Sequence, residues 1–303
     1  MNSSNLPKVN ILLSSYNGEK YIREQIKSLV SQDYSNIEIY IRDDGSGDTT
    51  RDILNEYVER PEIHIVFGEN VGFIKSFLTL LSSCASADYY AFCDQDDVWL
   101  PNKISRAVEK LAETDSSKPV LYFSSYDYYN ENLRFLSSAK KPENIGFVNS
   151  LVDCAPLGFN SVMNAAAREC ICQNIPVHSC GHDWWTYMVC AGLGSVIFDD
   201  FVSVKYRRCG KNVSNGGEGF LKAQIWRFRK FFLGNYFENI TEQLQEYESL
   251  YSANLNQKQK DILALFTEKT FLHAIKKVFF SQPFRQNAID EFFLRVCFVI
   301  GKL

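Results

Sequence analysis

The sequence predicts an α/β protein built on a mainly parallel, doubly wound (Rossmann-like) sheet, with a helical extension at its C-terminal end. Three observations predict this class. Short apolar runs alternate with amphipathic segments along the first 126 residues, polar loops follow the apolar runs, and the alternation fades after residue 126. Strands that alternate with helices of about 10–15 residues are typical of parallel sheets covered by helices.

Five apolar runs are the predicted strands. They are "VNILL" at 9–13, "IEIYI" at 37–41, "IHIVF" at 63–67, "YYAFC" at 89–93 and "VLYFSSY" at 120–126. Four helices are predicted between them from apolar residues at helical spacing. These residues are Ile22, Ile26, Leu29 and Val30, then Ile53, Leu54 and Tyr57, then Ile74, Phe77, Leu78 and Leu81, and finally Ile104, Val108 and Leu111. Asp48 is a suitable cap for the second helix, and Pro101 suits the first turn of the fourth.

The rest of the chain has a different character. Residues 127–150 are predicted to form a polar, irregular loop. Residues 154–215 are rich in Cys, Gly and Asn and contain the run "GHDWW" at 181–185. Residues 220–303 are predicted to be helical and are both basic and aromatic.

Composition and charge exclude several classes of protein. The chain has 303 residues, of which 46% are apolar, and a net charge of −4, which argues against a general nucleic-acid binder. The charge is uneven, since residues 222–303 hold 12 Lys and Arg against 8 Asp and Glu. No signal peptide is predicted, and no run approaches the ~18 apolar residues of a membrane-spanning helix. The nine cysteines form no CxxC pair, which favours reduced thiols in a cytosol.

Acidic loops are predicted at one edge of the sheet. The run "DQDD" at 94–97 places three carboxylates within four residues, directly after an apolar strand. Like charges repel one another, so a metal ion, an Arg or Lys, or solvent should lie among them. "DDGSGD" at 43–48 is either a turn with a helix cap or a ligand-binding loop. Ligands of doubly wound sheets bind beyond the carboxyl ends of the strands, which is where "SSYNG", "RDDGSGD" and "DQDD" are expected.

Five blocks of this sequence resemble a known family. "VNILLSSYNGEKYIREQI", "IEIYIRDDGSGDTT" and "FCDQDDVWLPNKI" resemble the inverting family-2 glycosyltransferases of the GT-A fold. "GHDWWTYMVCAGLG" and "VKYRRCGKNVSN" are similar to a bacterial, rhamnosyltransferase-like branch that builds surface polysaccharides such as O-antigen and capsule. The resemblance implies a nucleotide-sugar-binding half at 1–126, an acceptor-binding and catalytic-base half at 127–219, and a helical basic-aromatic region at 220–303.

The resemblance also implies residues that hold the donor. The first loop, "SSYNG", would hold the nucleobase, and the second loop, "RDDGSGD", would add an acidic contact to the base. The third loop, "DQDD", contains the D-x-D motif, whose two acids would serve the ribose and a divalent metal, Mn²⁺ or Mg²⁺, that bridges the diphosphate. The segment "VKYRRCGKNVSN" would help to close the donor site. The residues in these positions are Ser14, Tyr16, Asp44, Asp94 and Arg207 for the nucleotide sugar and Asp96 for the metal.

Other positions match the catalytic base and the acceptor side. Asp183 matches the family's base, and Asp97 is implied to lie near the sugar or the acceptor. Trp184 and Trp185 suit stacking on sugar rings, although two core tryptophans beside a solvated pair would give the same pattern. The branch commonly has a His where this sequence has Cys209, which weakens the expectation of an imidazole at that position.

The implied reaction is a single displacement in which an acceptor hydroxyl attacks the anomeric carbon opposite the leaving nucleoside diphosphate. The resemblance implies dTDP-rhamnose or a UDP-hexose as donor and a polyprenyl-diphosphate-linked oligosaccharide as acceptor. The alternatives are a catalytically silent, sugar-nucleotide-binding assembly subunit, which would lack a base, and a sugar-nucleotidyltransferase.

The expected location is the cytoplasm, peripheral on the cytoplasmic face of the inner membrane. Contact with an anionic membrane surface is predicted from "IWRFRKFF" at 225–232 and "FLHAIKKVFFSQPFR" at 271–285, which mix aromatic and basic residues.

Overall fold

The computed structural model describes residues 6–209, 229–268 and 270–303. The chain divides into two compact units. The first contains Met1–Lys141, Pro156–Ile175 and Gly194–Cys209, and the second contains Pro142–Ala155, Pro176–Leu193 and Gly210–Leu303.

A single mixed sheet forms the centre of the first unit. Its strand order is β3-β2-β1-β4-β8-β6-β9-β5, with β7 paired to β6. The strands are β1 Val9–Ser15, β2 Ile37–Asp43, β3 Ile63–Phe67, β4 Tyr89–Cys93, β5 Val98–Trp99, β6 Val120–Asn130, β7 Phe135–Ser138, β8 Ser161–Asn164 and β9 Ser195–Arg208.

The parallel part of the sheet is the part that the sequence predicts. Strands β3, β2, β1 and β4 are parallel neighbours, with Val9 opposite Ile37 on one side and Tyr89 on the other. Strand β8 is antiparallel to both β4 and β6, and β5 is antiparallel to β9. The prediction of a mainly parallel sheet therefore holds for the N-terminal half, and the sheet beyond β4 is mixed.

The prediction of an irregular loop at 127–150 is wrong for the first part of that range. Strand β6 continues to Asn130 and crosses the proposed boundary at residue 126, and β7 pairs back onto it. The Asn130 side chain accepts hydrogen bonds from the backbone N–H groups of Asn132 and Arg134, which stabilises the tight connection between the two strands. The residues of this extension do not alternate between apolar and polar, since Tyr128 is followed by Tyr129 and Phe135 by Leu136. Hydropathy therefore does not show the period of two that predicts a strand.

Helices cover the sheet because each carries one apolar stripe. In α4 the residues Ile104, Ala107, Val108 and Leu111 are buried, at the spacing of one helix face. The helices of the first unit are α1 Ile22–Val30, α2 Thr50–Asn55, α3 Phe73–Ser83, α4 Lys103–Ala112 and α6 Ala165–Gln173.

The second unit is helical. Its helices are α5 Phe147–Ser150, α7 His182–Leu193, α8 Tyr236–Tyr251, α9 Gln257–Thr267, α10 Phe271–Val278 and α11 Ala288–Val299, with a π-helical turn at Arg229–Leu233. Aromatic side chains form much of its interior, as where Trp185 of α7 packs against Tyr247 and Tyr251 of α8. In the described part of the chain, no helix combines the length and apolarity that crossing a bilayer requires.

Candidate active site

Three polar loops meet at the carboxyl ends of β1, β2 and β4, as the parallel topology requires. The first two loops are joined directly. The backbone N–H of Asn17 donates to Ser46 Oγ at 2.9 Å, and its side-chain oxygen accepts from the Gly47 N–H at 2.8 Å. The N–H of Gly18 donates to Thr50 Oγ1 at 2.8 Å. These bonds hold the predicted base-binding loops in one fixed arrangement.

Gln95, the middle residue of the D-x-D motif, joins the third loop to the first. Its amide oxygen accepts from the Tyr16 N–H at 2.8 Å, and its amide nitrogen donates to the Tyr16 carbonyl at 3.0 Å. Gly18 is required beside this pair, because a Cβ there would lie 2.2 Å from Gln95 Oε1. The ring of Tyr16 remains 48% exposed. The sequence does not identify Gln95 as a loop-organising residue, since its partner lies 79 residues away.

Asp44 lies inside the second loop and is almost fully buried. It forms an ion pair with Arg42 and accepts from the N–H groups of Val71 and Gly72 at 3.0 and 2.9 Å. Gly72 has a φ of 83°, which favours glycine at the start of α3. Asp44 therefore anchors the start of α3, and its contact with a nucleobase stays a prediction. Ser14, on β1, shares a 2.6 Å hydroxyl hydrogen bond with Ser76 of α3.

The carboxylates of the D-x-D loop differ in their environments. Asp94 and Asp96 are half-buried, whereas Asp97 is fully buried. Asp97 accepts a 2.9 Å hydrogen bond from the backbone N–H of Arg207. Burial and the neighbouring Asp96 and Asp94 carboxylates raise the pKa of Asp97 well above its ordinary value. The position predicted for acceptor contact is therefore a buried group that ties the loop to β9.

Arg207 holds the D-x-D loop from the other side. Its guanidinium is buried and donates to the Asp96 carbonyl at 2.8 Å, to the Glu131 carbonyl at 2.7 Å and to the Glu24 carboxylate. It also lies 4.4 Å from the centroid of the Tyr21 ring. The structure gives Arg207 a positioning role between the loop, α1 and the β6–β7 connection. A direct contact with the donor stays a prediction.

The fit of a divalent metal can be judged from this loop. Mg²⁺ and Mn²⁺ prefer oxygen ligands, and Mg²⁺ usually binds through one or two carboxylates together with substrate phosphates. No group of three or more His, Cys, Asp or Glu side chains among the described residues is arranged to hold a metal ion by itself. Burial raises the pKa of Asp96, so a nearby cation would favour its ionised form. The residues therefore fit an ion whose remaining ligands come from the donor and solvent.

Lys103 is a second group near this loop that the sequence does not identify. Its side chain is fully buried in α4, and its ammonium lies 4.5 Å from the centroid of the Trp99 ring. Burial lowers the pKa of Lys103 to about 7, while the nearby Cys93 and Asp97 oppose the shift. The sequence of α4 does not predict that Lys103 is buried, because a polar residue at the first position of a helix normally lies in solvent.

We expect Arg207→Lys to lower the free energy of unfolding by about 1–3 kcal/mol, because the single ammonium of a lysine cannot reach all three acceptors of the guanidinium and leaves partly buried carbonyls without donors. Glu24 is half-exposed, so its ion pair contributes little to this loss. Urea denaturation measures the effect. The matched control is Arg23→Lys, whose partner Glu56 is exposed and which should change stability by less than about 1 kcal/mol. Equal losses in the two variants would contradict the positioning role.

Asp183 lies in the second unit, in the first turn of α7. It is half-buried, and its Oδ1 accepts from the Trp184 N–H at 2.8 Å. A Cβ on Gly181 would lie 2.5 Å from that Oδ1, so a larger residue at 181 would displace the carboxylate. The N-terminal turn of a helix stabilises a negative charge. Asp183 is thus held in a defined position and in an environment that suits a carboxylate.

Helix α8 fixes the segment that leads into Asp183. Gln243 accepts from the Cys180 N–H at 2.7 Å, and Glu246 accepts from the N–H groups of Val177 and His178. His182 is buried, and burial lowers its pKa, so this imidazole is neutral at pH 7.

The two tryptophans that were predicted to face the acceptor are mainly core residues. Trp184 is 8% exposed and donates its indole N–H to the Ser150 carbonyl at 2.6 Å. Trp185 has no exposed surface. A ring with both faces packed cannot stack on a sugar, so the structure favours the core interpretation for Trp185. Proximity to Asp183 in the sequence does not distinguish a core tryptophan from one that stacks on a sugar.

Comparison with known proteins identifies the family. The model of glycosyl transferase family 2 matches residues 10–177, more than half of the chain. The chain belongs to this family. Its fold is GT-A, as in the solved structures described below.

Relatives within the family act on different sugars. The Escherichia coli UDP-Glc:alpha-D-GlcNAc-diphosphoundecaprenol beta-1,3-glucosyltransferase WfgD is 26% identical over 232 residues, 76% of this chain and 87% of WfgD. The Shigella flexneri dTDP-rhamnosyl transferase RfbG is 37% identical over 123 residues, 37% of this chain and 43% of RfbG. This chain spans about a third of the length of the first two curated relatives that it matches, 34% and 35%.

Solved glycosyltransferase structures share the fold. The S. aureus TarS 1–349 structure has a TM-score of 0.58 at 17% identity, covering 97% of this chain and 80% of that one. The Pyrobaculum calidifontis mannosyltransferase PcManGT, described in complex with GDP-Man and Mn²⁺, has a TM-score of 0.51 at 15% identity and covers 99% of this chain and 88% of its own.

Proposed function

We propose that this family 2 glycosyltransferase is an inverting enzyme that transfers a sugar from dTDP-rhamnose or a UDP-hexose to a hydroxyl of a lipid-linked oligosaccharide, in the synthesis of bacterial surface polysaccharide. The observation that carries the proposal is the interlocked set of three loops at the carboxyl ends of β1, β2 and β4, which contains the D-x-D motif. We assign this assembly, on a family 2 chain, as the donor site.

We assign donor roles to residues of these loops. The exposed ring of Tyr16 would stack on the nucleobase, with Ser14 and Asp44 completing the base pocket. Asp94 would contact the ribose. The Gln95 side chain keeps the first and third loops at a constant separation, so the base-binding and diphosphate-binding groups are held ready before the donor arrives. Preorganisation of this type reduces the cost of binding.

We propose Asp96 as the ligand of a divalent cation. When bound, the cation would neutralise charge on the leaving nucleoside diphosphate. The protein's own contribution is to hold the Asp96 backbone through the Arg207 guanidinium at 2.8 Å. The mannosyltransferase with Mn²⁺ shows that the fold accommodates this ion in another protein.

We propose Asp183 as the general base that takes the proton of the acceptor hydroxyl. Its carboxylate accepts a hydrogen bond from the Trp184 N–H at 2.8 Å. A base needs a defined direction toward the proton that it removes, and this hydrogen bond orients the carboxylate.

We propose an acceptor with a diphosphate-linked lipid, because the relative WfgD is named for a diphosphoundecaprenol acceptor. An enzyme acting on such an acceptor works at the membrane surface, and we propose a peripheral position on its cytoplasmic face. Both dTDP-rhamnose and a UDP-hexose are proposed as donors, because RfbG is named as a dTDP-rhamnosyl transferase and WfgD is named for UDP-Glc.

A thermal-shift screen of nucleotide sugars with Mn²⁺ tests the donor assignment. A ligand that binds only the native state raises its stability by RT ln(1 + [L]/Kd), which is about 2.7 kcal/mol at a concentration of 100 Kd. We expect one nucleoside diphosphate sugar to raise the melting temperature more than its free sugar or nucleoside monophosphate does. No shift with any dTDP or UDP sugar would contradict the proposal.

A further inference from the structure

The last two helices expose a large apolar surface. We call it the C-terminal apolar face and define it by the exposed apolar side chains on α10, on α11 and directly after each helix. These side chains are Phe271, Leu272, Ile275, Phe279, Ile289, Phe292, Val299 and Ile300. Phe271 and Phe279 are 83% and 80% exposed, and Val299 is 70% exposed. Exposed apolar side chains in this number on two successive helices are typical of an interaction surface.

Each helix contributes one stripe to this face. Phe271, Ile275 and Phe279 follow one another at intervals of four residues, the spacing of a single helix face. On α11, Phe292 and Val299 lie seven residues apart, which is two helical turns. The exposed residues are therefore arranged regularly rather than scattered singly over the surface.

The opposite sides of these helices are firmly packed. Leu294, Cys297 and Phe298 of α11 are fully buried. Lys277 of α10 is also buried, where its ammonium donates to the Leu303 carbonyl at 2.6 Å and lies about 5 Å from the Phe266 and Phe298 rings. The exposed stripes thus belong to anchored helices, and the exposure is a property of the folded unit.

This packing corrects the sequence-based prediction of which residues meet a membrane. Lys277 and Arg285 belong to the predicted segment at 271–285, but both are buried and serve the interior of the unit. Part of the other predicted segment, at 225–228, lies outside the described residues. The groups available to a bilayer are the apolar side chains, together with the exposed Lys276 and Lys302.

The net positive charge of residues 271–303 favours contact with an anionic surface. Residues 271–303 contain five Lys and Arg against two Asp and Glu, whereas the whole chain has 32 against 36. The remainder of the chain therefore has a net negative charge, whereas an anionic surface would attract this segment. Interfacial helices combine Phe and Leu on one face with Lys on the polar side, and α10 has this composition.

We propose that the C-terminal apolar face inserts its aromatic and aliphatic side chains into the interfacial layer of an anionic bilayer. The proposal rests on the proposed function, because an enzyme with a lipid-linked acceptor has to meet that acceptor at the membrane. Attachment would come mainly from buried apolar area, with Lys276 and Lys302 adding attraction to anionic headgroups. Binding should therefore survive salt better than a purely electrostatic contact.

Flotation with phosphatidylcholine vesicles containing phosphatidylglycerol tests this on the full chain. The test variant is Phe279→Glu combined with Phe292→Glu, and both positions are exposed enough to accept a carboxylate without unfolding. The control is Val58→Glu combined with Ile175→Glu, which alters two exposed apolar residues elsewhere. We expect the test variant to lose at least tenfold in vesicle partition, and the control to bind like the wild type.

Two further readouts make the result decisive. The donor-dependent thermal shift should be the same in all three proteins, so a loss of vesicle binding with an intact shift leaves the proposed function standing. Mass measurement without vesicles tests a second copy of the chain as the occupant. The proposal is overturned if the wild type fails to float, if the test variant floats normally, or if the wild type is a dimer that the test variant dissociates.

Discussion

Asp183→Asn is expected to lose transfer activity by about 10²–10⁴-fold, the usual cost of removing a general base. Asparagine has nearly the same size as aspartate and can still accept the hydrogen bond from the Trp184 N–H. It cannot take up the proton of the acceptor hydroxyl. Donor binding should be little changed, because the residues assigned to the donor are Ser14, Tyr16, Asp44 and the D-x-D acids. Initial rates and the donor-dependent thermal shift should be measured on the same preparation.

The control is Asp261→Asn, which alters an exposed carboxylate of α9 in the same unit and should leave transfer unchanged. Near-normal transfer in Asp183→Asn would exclude Asp183 as the base. Loss of donor binding together with transfer would show that Asp183 organises the protein rather than moving the proton.

Asp96→Asn is expected to reduce transfer by orders of magnitude, and EDTA should silence the wild-type enzyme. The substitution keeps the shape of the side chain and removes a charge that the cation requires. The Arg207 bond should persist, because it goes to the backbone carbonyl of residue 96. Protein stability should therefore stay close to that of the wild type, while the Mn²⁺-dependent part of the thermal shift disappears.

Asp52→Asn is a suitable control for Asp96, since Asp52 is exposed on α2 in the same unit. The control should keep both its activity and its response to Mn²⁺. Transfer that survives EDTA in the wild type would contradict the role of Asp96 and leave the D-x-D loop with a purely structural part.

The sequence predicts the parallel part of the fold well because periodicity is a local signal. Strands β3 and β4 have the predicted bounds, 63–67 and 89–93, and β1 and β2 start where predicted. The polar loops lie at one edge because the topology of a parallel sheet leaves no other place for them. The extension of β6 and the hairpin with β7 lack a strict alternation of apolar and polar residues, so hydropathy does not indicate them.

The organisation of the site is less predictable because it depends on distant pairs. Gln95 bonds to Tyr16 across 79 residues, and Arg207 bonds to Glu24 across 183. No local pattern indicates such partners. The same limit applies to burial, since Trp185, Lys103 and Lys277 are all interior residues whose neighbours in sequence suggest solvent or ligand.

The stereochemistry of transfer tests the central claim most directly. The donor selected by the thermal-shift screen is incubated with Mn²⁺ and an N-acetylglucosamine diphosphate carried on a short alkyl chain, and proton NMR compares the anomeric configuration of donor and product. A single displacement assisted by one base predicts that the product has the inverted configuration from the first turnover. Retention of the donor's configuration would contradict the assignment of Asp183 and the single-displacement reaction.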